Sequence, residues 1–502
     1  MKRTHKLISL ALALLMLLAL ASCKAEKSDS MIDIAGRPNQ GALVKPEVSP
    51  EGEDGNPDYT FQENPFIATA ENNVSTFSAD VDTASYSYFR KLVNQGYNLD
   101  QLMACGTVFR TEEFINYFDY NVAQPDANEL FAVDAEFVST PWSSSTALLR
   151  LTLQAENAVA ATGNNLVFLI DVSGSMNSAD KLPLLKKTFS HLVDQLTSRD
   201  VISIVTYSGK EAVVLDGCPG NERGRILDAI NKLSAYGSTN GEAGLTKAYQ
   251  LAEKHAIEGG NNRIIMASDG DLNVGISSGS ELKAYIEGKR NAGVYLSVLG
   301  FGTGNYRDAN METLADNGNG VYYYIDGESE AEKVLGSDLL GTLYTVAEDV
   351  KLQLTFDPQY VSSYRLIGYE NRLLNEEDFA DDTKDAGEVG AGHQVTVCYE
   401  LTLAEGARTS EAPWMTLAVR YKNPGEDASR LNEYKLGSSL LVDTLTDDMK
   451  FLSCVIQTTM ILHNSRYLNG TTLASVLETL NSLDLSAHPD RAEFRELIDK
   501  LV

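Results

Sequence analysis

The chain has 502 residues, 43% of them hydrophobic and 22% charged, and a formal net charge of -29. That length exceeds one ordinary core, so two or three folded domains are expected. The negative charge argues against nucleic acid as a partner and against polybasic attachment to a membrane.

The first residues read as an address. A basic start, MKRTHK, is followed by an apolar run over 7–20 and then Leu20-Ala21-Ser22-Cys23. The run is short for a membrane span and carries the flanks of a signal peptide, expected over 1–22. The Leu-Ala-Ser-Cys end is similar to a bacterial lipobox, which implies cleavage before Cys23, lipidation of that cysteine and a location outside the cytoplasm, on the cell membrane or outer membrane. Residues 23–65 are rich in Glu, Asp, Ser, Pro and Gly and poor in bulky apolar side chains, the composition of a flexible tether. Cys105, Cys218, Cys398 and Cys454 are widely spaced, which predicts buried thiols rather than a disulfide framework or a zinc site.

An N-terminal α+β region is expected over 66–155. Residues 74–81 alternate like a strand, Asp82-Thr83-Ala84-Ser85 opens a helix, a second helix is expected over 111–118, and FAVDAEFV and ALLRLTLQ read as strands joined through a turn containing Trp142. From 164 to 343 strands and helices alternate. LVFLI over 166–170 is a continuous apolar run, the mark of a strand covered on both faces. A helix stripe follows at Leu182, Leu185, Phe189, Leu192 and Val193. Further strands are expected over 201–207, 212–215, 263–267, 294–301 and 321–325, with helices over 223–233, 243–255, 281–291, 308–316 and 331–343. This order predicts an α/β fold with a doubly wound, mostly parallel sheet. Residues 347–441 turn to β pattern (VKLQLTF, VTVCYELTL, MTLAVRY), and their strands are candidates to join 131–153 in one sandwich carrying the α/β unit. Residues 446–502 read as about three amphipathic helices, Gly470 separating the first two and Pro489 starting the third.

Three strand ends in the α/β unit carry hard oxygen donors. Asp171, Ser173 and Ser175 follow the strand 166–170, Thr239 lies in a Gly-Ser-Thr loop, and Asp269 follows the strand 263–267. Ligands of open α/β sheets bind beyond the carboxyl ends of the strands, so these groups can converge. With no His or Cys among them, they select Mg²⁺, or Mn²⁺ or Ca²⁺, over zinc or copper. Two carboxylates, three hydroxyls and water leave a position for an incoming ligand.

D-x-S-x-S after a buried strand, a Thr in a Gly-Ser-Thr loop and an Asp in a Ser-Asp-Gly loop resemble the metal-ion-dependent adhesion site of von Willebrand factor type A (VWA) domains. STFSADVDTASYSYFRKLVNQG, RTEEFINYFDY, NNLVFLIDVSGSM, SVLGFGTGN, LIGYENR and DDTKDAGEVGAGH extend the resemblance to bacterial YfbK-like VWA lipoproteins over nearly everything after the tether. The resemblance implies that Ser173, Ser175 and Thr239 touch the ion directly or nearly so, that Asp171 and Asp269 act directly or through water, and that an Asp or Glu of a protein partner completes the sphere.

Other chemistries fit less well. An aspartyl-phosphate enzyme built on Asp171 wants a second acid two residues on, where Ser173 stands. Neither Ser173 nor Ser175 lies in Gly-x-Ser-x-Gly. The run from Asp269 to Gly275 lacks the Gly and Glu of an EF-hand, with Val274 and Ser280 in their places. Gly300-Phe301-Gly302-Thr303-Gly304 is a turn rather than a phosphate loop. The acidic run 376–385 reads as a solvated loop, with a secondary calcium site as its alternative, and His393 as a structural loop residue. The expectation is therefore a lipid-anchored binding protein and not an enzyme, with an envelope scaffold carrying a stabilising ion as the runner-up.

Overall fold

The computed structural model describes residues 61–502 apart from 106–107, 128, 158–161, 239–240, 271–278, 303–307, 339–340, 342 and 443. Cys23 and most of the expected tether lie outside these residues. In chain order the elements are β1 (Ile67–Ala68), β2 (Val74–Ser78), α1 (Ala84–Asn94), α2 (Leu99–Met103), α3 (Thr111–Ile115), β3 (Phe131–Ser139), β4 (Ala147–Ala155) and β5 (Asn164–Asp171). Next come α4 (Leu182–Gln195), β6 (Val201–Tyr207), β7 (Ala212–Pro219), α5 (Arg223–Asn231), α6 (Gly241–Lys254), β8 (Asn261–Ser268), α7 (Gly279–Arg290), β9 (Tyr295–Phe301), α8 (Asp308–Asn317), β10 (Tyr322–Ile325) and α9 (Glu328–Glu332). The chain continues through β11 (Thr345–Phe356), β12 (Val361–Ile367), β13 (Gly387–Gly390), β14 (Gln394–Leu403), β15 (Pro413–Lys422), β16 (Arg430–Gly437), α10 (Asp447–Leu462), α11 (Leu473–Asn481) and α12 (Pro489–Leu501).

The middle of the chain forms a six-stranded sheet in the order β10-β9-β8-β5-β6-β7. Every pairing is parallel except that of the edge strand β7 with β6. The sequence places β5 at the centre for a physical reason. Its eight residues are all buried, and they alternate between two cores. Leu166, Phe168 and Ile170 face the apolar stripe of α4, where the rings of Phe168 and Phe189 stack 4.3 Å apart. Val167 and Leu169 face the other layer with Ala248 and Tyr249 of α6. A strand covered on both sides has no polar face to show, which is why it reads as an unbroken apolar run.

The flanking strands build two five-stranded sheets, β1-β12-β14-β4-β3 and one of β13-β11-β15-β16 with β2 added beside β11. β4 runs antiparallel to β14 from Ala147 to Gln154, so strands on either side of the α/β unit share one sheet. Phe137, Leu149, Leu151, Leu352, Leu354, Trp414 and Leu417 meet in one core, and the Phe137 and Trp414 rings lie edge to face at 5.0 Å.

Several details differ from the sequence-based expectation. β7 runs on to Pro219 and pairs antiparallel at the sheet edge. Of the helix expected over 331–343, the structure shows the end of the short α9, a π-helical turn, Lys333–Ser337, and helical Gly341 and Leu343, while 339–340 and 342 lie outside the described residues. α10 is buried on nearly every face rather than amphipathic, because α3 and α11 pack around it, and Thr446 caps its start by accepting from the Met449 N–H. Phe61, Glu63 and Asn64 are tied down rather than part of a loose tether: the Phe61 and His463 rings lie tilted with centroids 3.9 Å apart, Glu63 accepts from Ser465 and Arg365, and the Asn64 side chain donates to the Gly368 carbonyl. The acidic run is pinned, with Asp382 accepting from Arg420 and Ser429 and Asp385 from Arg290. Cys218, Cys398 and Cys454 are buried free thiols, Cys105 is half-buried and free, and burial pushes Cys398 and Cys454 up to about 12.

Candidate metal centre

β5 ends in Asp171, whose carboxylate is fully buried. Its Oδ1 accepts from the backbone N–H of Ser173 at 2.7 Å, which turns the chain sharply and aims the next two hydroxyls along one side. The Ser173 and Ser175 oxygens are 3.0 Å apart. Ser173 is buried and Ser175 exposed, so the turn opens to solvent at its second serine. A short 3-10 helix, Gly174–Asn177, carries the chain on towards α4.

The neighbouring loop is laced to this turn by backbone hydrogen bonds. Gly174 N–H donates to Gly237 O at 3.0 Å and Tyr236 N–H to Val172 O at 2.7 Å. Thr239, two residues past Gly237, lies outside the described residues. Asp269 follows β8, hydrogen-bonded beside β5, and is 1% exposed. Its Oδ2 accepts from Lys181 Nζ at 2.8 Å.

The donor set fits a small hard ion. An octahedral site with bonds of about 2.1 Å has adjacent ligands about 3 Å apart, and the two serine oxygens have that spacing. Among the described residues there is no cluster of three or more His, Cys, Asp or Glu placed to hold a metal. The loops after β5 and β8 together offer two carboxylates and hydroxyls instead, a donor set for an ion that keeps some of its water.

The sequence falls into three matched segments. Residues 165–336 match the von Willebrand factor type A domain family, residues 55–150 a family described as von Willebrand factor, and residues 341–502 one described as uncharacterized protein YfbK, C-terminal. Uncharacterized protein YfbK of Escherichia coli K12 is 39% identical over 468 residues, spanning 88% of this chain and 80% of that one. The chain belongs to the YfbK family of VWA-domain proteins. Human inter-alpha-trypsin inhibitor heavy chain H3 is 25% identical over 346 residues, 64% of this chain but 36% of that protein. A solved von Willebrand factor type A protein from Catenulispora acidiphila covers 76% of this chain and 88% of its own length, with 17% identity and a TM-score of 0.41. The parallel β8-β5-β6 core, with its oxygen-bearing loops at the strand ends, is the architecture expected of a VWA domain. VWA proteins mediate protein–protein interactions, and membership of this family is consistent with a binding role for the chain.

Lys181 was not among the residues the sequence singled out. It lies just before α4 and meets an aspartate 88 positions away. A lone lysine between a turn and a helix carries no pattern from which such a partner can be read. Gly302 has a backbone reason to be glycine: its φ is +77°, and a Cβ there would lie 2.1 Å from Lys181 Cε.

Proposed function

We propose that this YfbK-family protein is a lipid-anchored, extracytoplasmic binding protein. Its VWA loops hold one Mg²⁺, or Mn²⁺ or Ca²⁺, through Asp171, Ser173, Ser175, Thr239 and Asp269, and the ion recognises an Asp or Glu side chain of a protein partner. Cys23 carries the lipid. The observation that carries the reading is the turn after β5, where a buried Asp171 accepts from the Ser173 N–H and the Ser173 and Ser175 oxygens lie 3.0 Å apart at an open strand end. When bound, the ion would supply a Lewis-acidic contact for a carboxylate. The chain's own residues supply the rest. Asp171 fixes the turn, Ser173 and Ser175 present neutral donors, and the buried strand end below them excludes water from one side. Because the hydroxyls are neutral, the ion keeps much of its charge for the incoming carboxylate.

The test is capture of envelope proteins on the full chain in Mg²⁺ and in EDTA, with Asp171→Ala alongside. The reading predicts at least one partner retained in Mg²⁺, released by EDTA and absent from the variant. A partner retained equally in all three conditions would contradict it. If Mg²⁺ affects thermal stability but no EDTA-sensitive partner is recovered, the ion is structural and the envelope-scaffold reading replaces this one.

A further inference from the structure

Lys181 occupies a slot built for it. Its residue is 8% exposed, and its stem crosses Gly302 so closely that no side chain fits there. The Gly302 carbonyl is in turn held by the Tyr324 hydroxyl at 2.6 Å. The ammonium ends 2.8 Å from Asp269 Oδ2, where the carboxylate is fully buried. Surface lysines of this chain, such as Lys187 with its half-exposed ion pair to Glu328, have no comparable confinement.

We infer that Lys181 is a tethered cation that competes with the divalent ion for Asp269 and so sets the affinity of the site. The inference rests on the reading of these loops as a metal centre. With Asp171 and Asp269 the lysine leaves a net charge of minus one where two carboxylates alone would give minus two. A dication must therefore either displace the ammonium or bind against its repulsion, and at these distances in a buried site either cost is large. A partner's carboxylate returns the missing negative charge. Ion and partner then bind each better in the presence of the other, as any coupled pair must. The metal centre is thus weakly filled alone and fully filled only when a partner arrives. The neutral Lys181→Met keeps the stem that packs against Gly302, and Lys181→Gln keeps a donor for Asp269.

The experiment is calorimetric titration of the full chain with MnCl₂. Lys181→Met and Lys181→Gln are compared with wild type and with Lys187→Met, which removes one charge from the adjoining helix α4 but outside the slot. Folding of each variant is checked first by circular dichroism in EDTA, and the two neutral variants keep the test open should one fail to fold. The expected result is binding at least roughly tenfold tighter in the Lys181 variants, with Lys187→Met within about twofold of wild type. Binding within about threefold of wild type in the folded Lys181 variants would overturn the inference, as would an equal gain in Lys187→Met, while leaving the metal reading intact. Absence of Mn²⁺ binding in every protein would overturn both.

Discussion

At the junction between the α/β sheet and the sandwich, Arg372 gathers four carboxylates. It reaches Asp80 at 3.0 Å and Asp82 at 3.3 Å from the segment before α1, and Glu312 and Asp316 of α8 at 2.9 Å each. Burial, and then the neighbouring Asp80 and Asp316, push Asp82 well above the usual carboxylate range. At the strand-end loops, by contrast, Asp269 accepts from Lys181 and Asp171 from the Ser173 backbone N–H among the described contacts. Both regions bury acids, but they neutralise them differently. A planar guanidinium with five donors in a fixed fork locks several carboxylates at once. A single ammonium has no such fork, and that of Lys181 is held to one carboxylate oxygen of Asp269. The first arrangement is a fastener, and the second is the pair we infer to exchange with the ion.

The comparison breaks most visibly at the fastener. Arg372→Met would leave buried carboxylates without their shared cation, and the expected cost is about 3–5 kcal/mol of stability. Urea unfolding measures it. A cost below about 1 kcal/mol would mean that the junction is not held by this arginine. Mg²⁺ should not rescue the variant, because none of the four carboxylates that Arg372 holds belongs to the proposed metal site.

A smaller effect sharpens the same contrast by acid. His393 and His463 belong to the structural half, and burial pushes both imidazoles down to about 4. Their unfolded values lie near 6.5, so the unfolded chain takes up protons below that pH which the folded chain refuses. Stability from these residues is complete above pH 6.5 and is lost as pH falls towards 4. Between pH 6.5 and 5 each should cost about 1–2 kcal/mol. The double variant His393→Asn, His463→Asn should show a shallower fall in unfolding free energy over that window, and an unchanged slope would refute the assignment.

What could be read in the sequence divides along the same line. β5 announces itself by five apolar residues, α4 by the stripe from Leu182 to Val193, and the turn between them by Asp171, Ser173 and Ser175, because periodicity and local turns are properties of neighbouring residues. The Lys181–Asp269 pair spans 88 positions and the Arg372–Asp80 pair 292, and a charged residue gives no sign of so distant a partner. The burial of α10 was illegible for a related reason: nothing within Asp447–Leu462 tells that α3 and α11 will cover its remaining face. The packing of Phe61 and Asn64 was hidden too, since they follow a polar, Pro- and Gly-rich run and their partners lie hundreds of residues away.

We propose that the loops after β5 and β8 hold a divalent ion through Asp171. Thermal unfolding of the wild-type chain and of Asp171→Ala, each in Mg²⁺ and in EDTA, tests it most directly. An ion at ten times its dissociation constant adds about 1.4 kcal/mol to a protein that binds it only when folded. The expected result is a higher melting temperature in Mg²⁺ for the wild type and no difference between Mg²⁺ and EDTA for Asp171→Ala. Equal Mg²⁺-dependent shifts in both proteins, or none in the wild type even at high Mg²⁺, would contradict it.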